Sequence, residues 1–171
     1  MHNDDSYRVP DFEIRPLCGD DRSWVSHLLR EHWGSERSVS RGRMHAADEL
    51  PGFLAVRNGE RIGLLTYCIE KTGCEIVTLN SLIKNAGIGT ELINSVRLVA
   101  AMAGCHKLWL ITTNDNVDTL RFYQKRDFTL VAVHRNAIEE SRRLKPEIPE
   151  IGFHGIPIRD EIELESVLKS P

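Results

Sequence analysis

Two glycines one residue apart, Gly87 and Gly89, stand in "IKNAGIGTELI" (83–93), where a strand-like run hands over to a helical one. Glycine costs a helix about 1 kcal/mol relative to alanine, so a pair at a helix start needs a reason. Strand, tight glycine turn and helix start together form a geometry for anions. The first N–H groups of a helix lack internal partners and carry the positive end of its dipole, and a phosphate can rest on them where no Cβ intrudes. The stretch is not the GxxxxGK[ST] loop of nucleoside triphosphatases, and it lacks the third glycine of GxGxxG. The alternative is that both glycines simply allow the helix to pack tightly against a strand.

A second constellation follows in "NDNVDTLRFYQKRDF", with Asn116 at an expected helix start and Tyr123 seven residues later. Two helical turns span about 7.2 residues, so both side chains fall near one face. Four cysteines (Cys18, Cys68, Cys74 and Cys105) form no CxxC pair, and no histidines stand at metal-ligand spacing, so no metal is expected.

The elements that must position these groups can be read in order. "FEIRPL" (12–17) alternates as a first strand, and Trp24, Leu28, Leu29 and Trp33 recur with helical spacing behind Asp20 or Asp21 as a cap. The polar stretch 34–50 is expected to hold one short second helix. Three antiparallel strands at about 53–57, 62–70 and 74–81 follow, punctuated by Asn58-Gly59 and Lys71-Thr72-Gly73. Ile88, Leu92, Ile93, Val96, Val99 and Ala103 then repeat with a helical period, and Gly104 ends the run. "KLWLITT" (107–113) suits a buried parallel strand. A helix reaching about Lys125, a strand at 128–133, a short helix at "AIEESRRL" and a final alternating strand at "DEIELE" complete the pattern. Residues 145–157, with three prolines and two glycines, offer no regular element.

The loop and the later helix together resemble the GNAT family of acyl-CoA-dependent N-acetyltransferases. The family's Q/R-x-x-G-x-G/A stands here as Lys84, Asn85, Ala86, Gly87, Ile88 and Gly89. Its N-x-x-A-x-x-F/L-Y-x-K-x-G-F stands as Asn116, Thr119, Phe122, Tyr123, Lys125, Asp127 and Phe128. The resemblance covers residues 12–134. It departs at Lys84, which keeps a donor but loses the bidentate guanidinium geometry, at Thr119, and at Asp127, which replaces a glycine expected in the left-handed region. The link from Ser81 to Lys84 is also about two residues short of the family's usual spacing.

The resemblance implies an α/β (α+β) fold with a mixed central sheet of six to seven strands, an antiparallel N-terminal meander and a parallel centre, flanked by helices. Residues 1–11 are expected to be loose and 12–171 to form a single domain. It implies an N-acetyltransferase that moves an acetyl group from acetyl-CoA to a primary amine by direct attack in a ternary complex. Glu75, in an "EIV" context like that of the histone-acetyltransferase branch, is the candidate base; a surface Glu pairing with Lys71 is the alternative. Tyr123 is the candidate acid for the departing thiolate, or else a packed core tyrosine. Amides of Gly87, Ile88, Gly89 and Thr90 are expected to hold the pyrophosphate, assisted by the side chains of Lys84 and Thr90. The strand backbone at Leu79, Asn80 and Ser81 should pair with pantetheine amides, and Asn116 should bond the pantetheine arm, cap its helix, or both. Asn85 and Ala86 complete the loop.

The acceptor is expected beyond the sulfur, near Trp33, Arg37 and Arg41, with Asp160 or Glu161 available to a cationic amine. A covalent route through Cys74 or Cys105 is the weaker alternative to direct attack. A second function class is a CoA-holding sensor or interaction domain without turnover, and a nucleotide-binding protein is a third. The formal charge of -3 and the acidic, polar N-terminus argue against a bulk grip on nucleic acid and against a membrane or secretory segment. A reduced cytoplasmic protein is the plain expectation, and a homodimer is common in proteins of this appearance.

Overall fold

The computed structural model describes residues 10–168; residues 1–9, most of the expected loose N-terminus, lie outside it. The elements run β1 (Glu13–Pro16), α1 (Arg22–Trp33), β2 (Arg37–Ser40), β3 (Arg43–Ala46), β4 (Gly52–Arg57), β5 (Glu60–Glu70) and β6 (Gly73–Ser81). They continue with α2 (Ile88–Met102), β7 (Lys107–Thr113), α3 (Val117–Gln124), β8 (Thr129–His134), α4 (Ala137–Leu144) and β9 (Glu161–Val167). Seven strands form one sheet in the order β1-β4-β5-β6-β7-β9-β8, and β2 with β3 form a separate hairpin.

The meander turns where positive φ is tolerated, at Asn58 (51°) with Gly59 (79°) and at Lys71 (51°). The parallel centre expected from the resemblance is one pair, β6 with β7; β9 inserts between β7 and β8, antiparallel to both. The sheet is thereby mixed, with helices on both faces.

Successive residues of a strand point to opposite faces, and two cores follow that alternation. Leu65, Ile76, Leu108 and Leu164 pack with Ile88, Leu92, Ile93, Val96 and Ala100 of α2. Leu54, Leu64 and Val77 pack with Val25, Leu28 and Leu29 of α1 on the other side. Glu75 alternates with Cys74 and Ile76, and Glu161 and Glu163 alternate with Ile162 and Leu164. These carboxylates therefore face the α1 side of the sheet.

Two local expectations are corrected. The polar stretch 34–50 holds the β2–β3 hairpin rather than a helix. Its turn, Arg41 (φ 48°) and Gly42 (φ 71°), has the paired left-handed residues that match strand twist. Asp21 precedes α1 but makes no side-chain cap. Its fully buried carboxylate instead accepts from Arg15 Nη1 (2.7 Å) and Nη2 (2.9 Å) and from Arg61 Nε (2.9 Å). The hydrogen-bonded Arg15 guanidinium holds that carboxyl well below the usual range, and the start of α1 is tied to β1 and β5. Residues 145–157 have, as expected, little regular structure: a short 3-10 turn at Phe153–Gly155 and one bridge between Ile151 and Pro157.

Candidate active site

Strands β6 and β7 pair only at Gly73–Lys107, Cys74–Leu108 and Glu75–Trp109. Both then continue, β6 to Ser81 and β7 to Thr113, without pairing each other. β6 remains bonded to β5 on its far side up to Ser81, and β7 to β9 up to Thr113. A wedge opens between them, and the edge of β6 at Leu79, Asn80 and Ser81 faces it with no partner strand among the described residues. An extended chain bearing amides can add to such an edge.

The edge leads directly into the glycine turn. Gly87 sits at φ 79° with open space where a Cβ would be, so backbone conformation is its requirement. Asn85, at φ 58°, shares that strain. Gly89 has a different reason: a Cβ there would lie 2.8 Å from the Phe122 ring. Helix–helix packing thus accounts for Gly89, where the sequence suggested ligand clearance or helix–strand packing. The side chain of Ile88 enters the core because Gly63 on β5 leaves room for it; a Cβ on Gly63 would meet Ile88 Cγ2 at 2.5 Å. The first backbone bond of α2 runs from Glu91 N–H to the Gly87 carbonyl, 3.1 Å, leaving the amides of Ile88, Gly89 and Thr90 without an intrahelical acceptor. Lys84 and Ala86 lie in the same turn, Lys84 exposed. Thr90 Oγ1 accepts from Arg126 Nε (2.9 Å), whose guanidinium stacks 3.6 Å from the Phe122 ring centroid. Arg126 is a cation at the helix start that sequence reasoning missed, since only folding brings it there from the end of α3.

Glu75 is 5% exposed and is the last β6 residue paired to β7, at the point where the wedge opens. Its partner is not Lys71. Ser40 Oγ donates to Oε1, and His45 Nε2 lies 3.3 Å from Oε2, both from the inner face of the β2–β3 hairpin. His45 Nε2 is also 3.4 Å from Ser40 Oγ. Neither residue was singled out from sequence, because each lies 30 or more positions from Glu75 in the chain.

Tyr123, 4% exposed, stands on α3 edge-on to Phe122 (5.2 Å between centroids) and Phe128 (5.1 Å). Burial raises its phenol above the ordinary range, so it stays protonated at neutral pH. Asn116 caps α3, its Oδ1 accepting from Thr119 N–H at 3.3 Å. Asp127 adopts φ 62°, the left-handed conformation expected where the motif has glycine. Cys74 is fully buried in the α2-side core and burial pushes its thiol up to about 12; Cys105 is buried and raised for the same reason. A thiol held protonated is a poor nucleophile, so the covalent route loses its chemistry.

The acceptor-side residues gather around the hairpin. Trp33 Nε1 donates to Asn80 Oδ1 (3.0 Å), joining the end of α1 to the β6 edge. Arg41 at the hairpin tip lays its guanidinium 5.7 Å from the Trp109 ring centroid and 3.7 Å from Glu163 Oε1. Arg37 is exposed, and its carbonyl accepts from the buried Lys145 Nζ (2.9 Å), which also reaches Trp33 O (2.7 Å). Asp160 and Glu161 are already engaged. Asp160 pairs with Arg159, which keeps its carboxyl low, and Glu161 accepts from Ser141 Oγ (2.7 Å) and Arg41 N–H (3.1 Å). Among the described residues no group of three or more His, Cys, Asp or Glu is arranged to hold a metal ion, and no helix is long and apolar enough to cross a membrane.

This geometry has counterparts. The family model described as Acetyltransferase (GNAT) family matches residues 19–128. A Bacillus subtilis (strain 168) relative, "Uncharacterized protein YdhI", is 51% identical over 146 residues, covering 84% of this chain and 91% of its own. Among solved structures, an IAA acetyltransferase from Bacillus cereus ATCC 14579 is similar at a TM-score of 0.73 and 23% identity, covering 92% of this chain and 99% of that one. A GNAT family acetyltransferase from Elizabethkingia anophelis with acetyl-CoA bound is similar at 0.69 and 23%, covering 94% and 100%. With the wedge, the glycine turn and the motif helix matched by a family model across most of the chain, this protein belongs to the GNAT acetyltransferase family.

Proposed function

We propose that the protein transfers an acetyl group from acetyl-CoA to a primary amine, with both substrates bound together. The observation that carries this reading is the parting of β6 from β7 immediately beyond Glu75. It leaves a strand edge for an amide-bearing arm between a carboxylate at one end and the open amides of Ile88, Gly89 and Thr90 at the other. The bound acetyl-CoA of the Elizabethkingia anophelis relative is consistent with that use.

In this reading the backbone at Leu79, Asn80 and Ser81 holds the pantetheine arm, and the amides of Gly87 through Thr90 hold the pyrophosphate. Lys84 adds charge from the exposed turn, and Arg126 adds it beside Thr90. A protonated alkyl amine, with a pKa of about 10.4 for a lysine-like group, cannot attack a thioester. Glu75, directly or through one water, takes that proton. The free nitrogen then attacks the thioester carbonyl, the carbon–sulfur bond breaks with its electron pair going to sulfur, and Tyr123 Oη–H supplies the proton that the thiolate needs. The second N–H proton, lost as the amide forms, returns to the Tyr123 oxygen through water and restores the phenol. Trp33, Arg37 and Arg41 border the acceptor side.

The test is a thermal-shift titration with acetyl-CoA, CoA and ATP, followed by thiol release on a panel of primary amines. Acetyl-CoA and CoA are expected to raise Tm by several degrees while ATP does not, and at least one amine should release thiol. Ligand at a hundred times its Kd stabilises by about 2.7 kcal/mol, enough for a clear shift. Stabilisation without thiol release from any amine would favour a CoA-holding domain instead. No stabilisation by either coenzyme would defeat the reading.

A further inference from the structure

We infer that His45 is a positioning residue for Glu75: together with Ser40 it orients the carboxylate that deprotonates the acceptor. The inference rests on Glu75 being the base and names what the hairpin does for it. His45 is 4% exposed and Ser40 6%, and both point from the hairpin onto the same carboxylate. A hairpin laid over a sheet face simply to shield it would present apolar residues there. This one turns an imidazole and a hydroxyl inward, each aimed at a different oxygen of one side chain.

The surroundings leave the pair electrostatically self-contained. Across β5 the residue opposite Glu75 is Cys68, and across β7 it is Trp109, which carries no charge. Arg43 on the hairpin pairs outward with Glu70. Arg41 reaches Glu163, which also bonds His134 (2.8 Å), and Glu161 is held by Ser141 and the Arg41 amide. Lys107, on the β7 side, pairs with Glu165. The imidazole is thus the only titratable group in hydrogen-bonding reach of Glu75 among the described residues. With Ser40 on one oxygen and His45 beside the other, the carboxylate is held in one orientation at the point where the wedge opens.

The test compares pH profiles of kcat for H45A, H45Q and E75Q, with acetyl-CoA KM and Tm recorded for each. H45A is expected to lose about ten- to a hundredfold in kcat at pH 7 and to move the acidic limb to higher pH, because one of the two groups held against the carboxylate is gone. Its KM for acetyl-CoA should stay within about twofold of wild type. H45Q keeps an N–H donor of similar reach and should recover most of the rate and most of the limb position. H45A with wild-type kcat and limb, alongside an inactive E75Q, would overturn the role of His45 while sparing the base. So would H45Q as slow as H45A. Wild-type turnover in E75Q would instead remove the base itself, and the inference with it. Should H45A fail to fold, S40A removes the other donor and must shift the limb in the same direction for the inference to stand.

Discussion

Glu75→Gln is expected to lower kcat for amine acetylation at pH 7 by roughly a hundred- to ten-thousandfold, the range for loss of a positioned proton acceptor. The substitution is isosteric, and the amide can still bond Ser40 and His45, so Tm should change little. The sharper signature lies in the pH dependence. Without a base in the site, only amine that has already lost its proton in solution can react. For an acceptor with a pKa of about 10.4 that fraction rises about tenfold per pH unit. The variant's rate should therefore climb steeply and almost linearly in log–log form from pH 7 to 9, where wild type has levelled off. Thiol release measured across that range checks both features. An unchanged rate and profile would take Glu75 out of the reaction.

Tyr123→Phe is expected to lower kcat by about ten- to a hundredfold, leaving the KM for acetyl-CoA within about twofold of wild type. The ring keeps its edge-on contacts with Phe122 and Phe128, so the fold loses only a hydroxyl. What the hydroxyl supplies is a proton at the moment the thiolate leaves. Because burial raises the phenol, that proton is present throughout the neutral and mildly alkaline range. Tyr123 is therefore not expected to cause an alkaline fall in rate below about pH 10. Steady-state kinetics with varied acetyl-CoA separate the two parameters. Wild-type kcat in the variant would reduce Tyr123 to a packing residue.

Much of the arrangement was legible in the chain because local chemistry dictated it. Asn58-Gly59 and Lys71 announce the meander, since those turns need positive φ. The period from Ile88 onward gives α2, and the spacing of Asn116 and Tyr123 gives α3. What was missed has a common cause in non-local contact. β9 inserts between β7 and β8, a choice set by β7–β9 pairing between residues 48 to 60 positions apart. The β2–β3 hairpin escaped because its inward face is polar: Ser38, Ser40 and His45 give no apolar alternation. The same polarity links it to the buried Glu75. Asp21 has the look of a helix cap and instead pairs with two arginines, one on β1 and one on β5. The sequence suggests ligand clearance or helix–strand packing at Gly89, whereas the ring that needs the space, Phe122, lies 33 residues on.

A crystal structure with acetyl-CoA bound decides whether the coenzyme lies in the β6–β7 wedge. Both phosphoryl groups of the pyrophosphate are expected within about 3 Å of the amides between Gly87 and Thr90. Pantetheine amides are expected to bond the β6 backbone at Leu79–Ser81, with the thioester at the mouth of the wedge by Glu75. Coenzyme density away from that wedge, with those amides bonded to solvent or to the protein's own side chains, would contradict it.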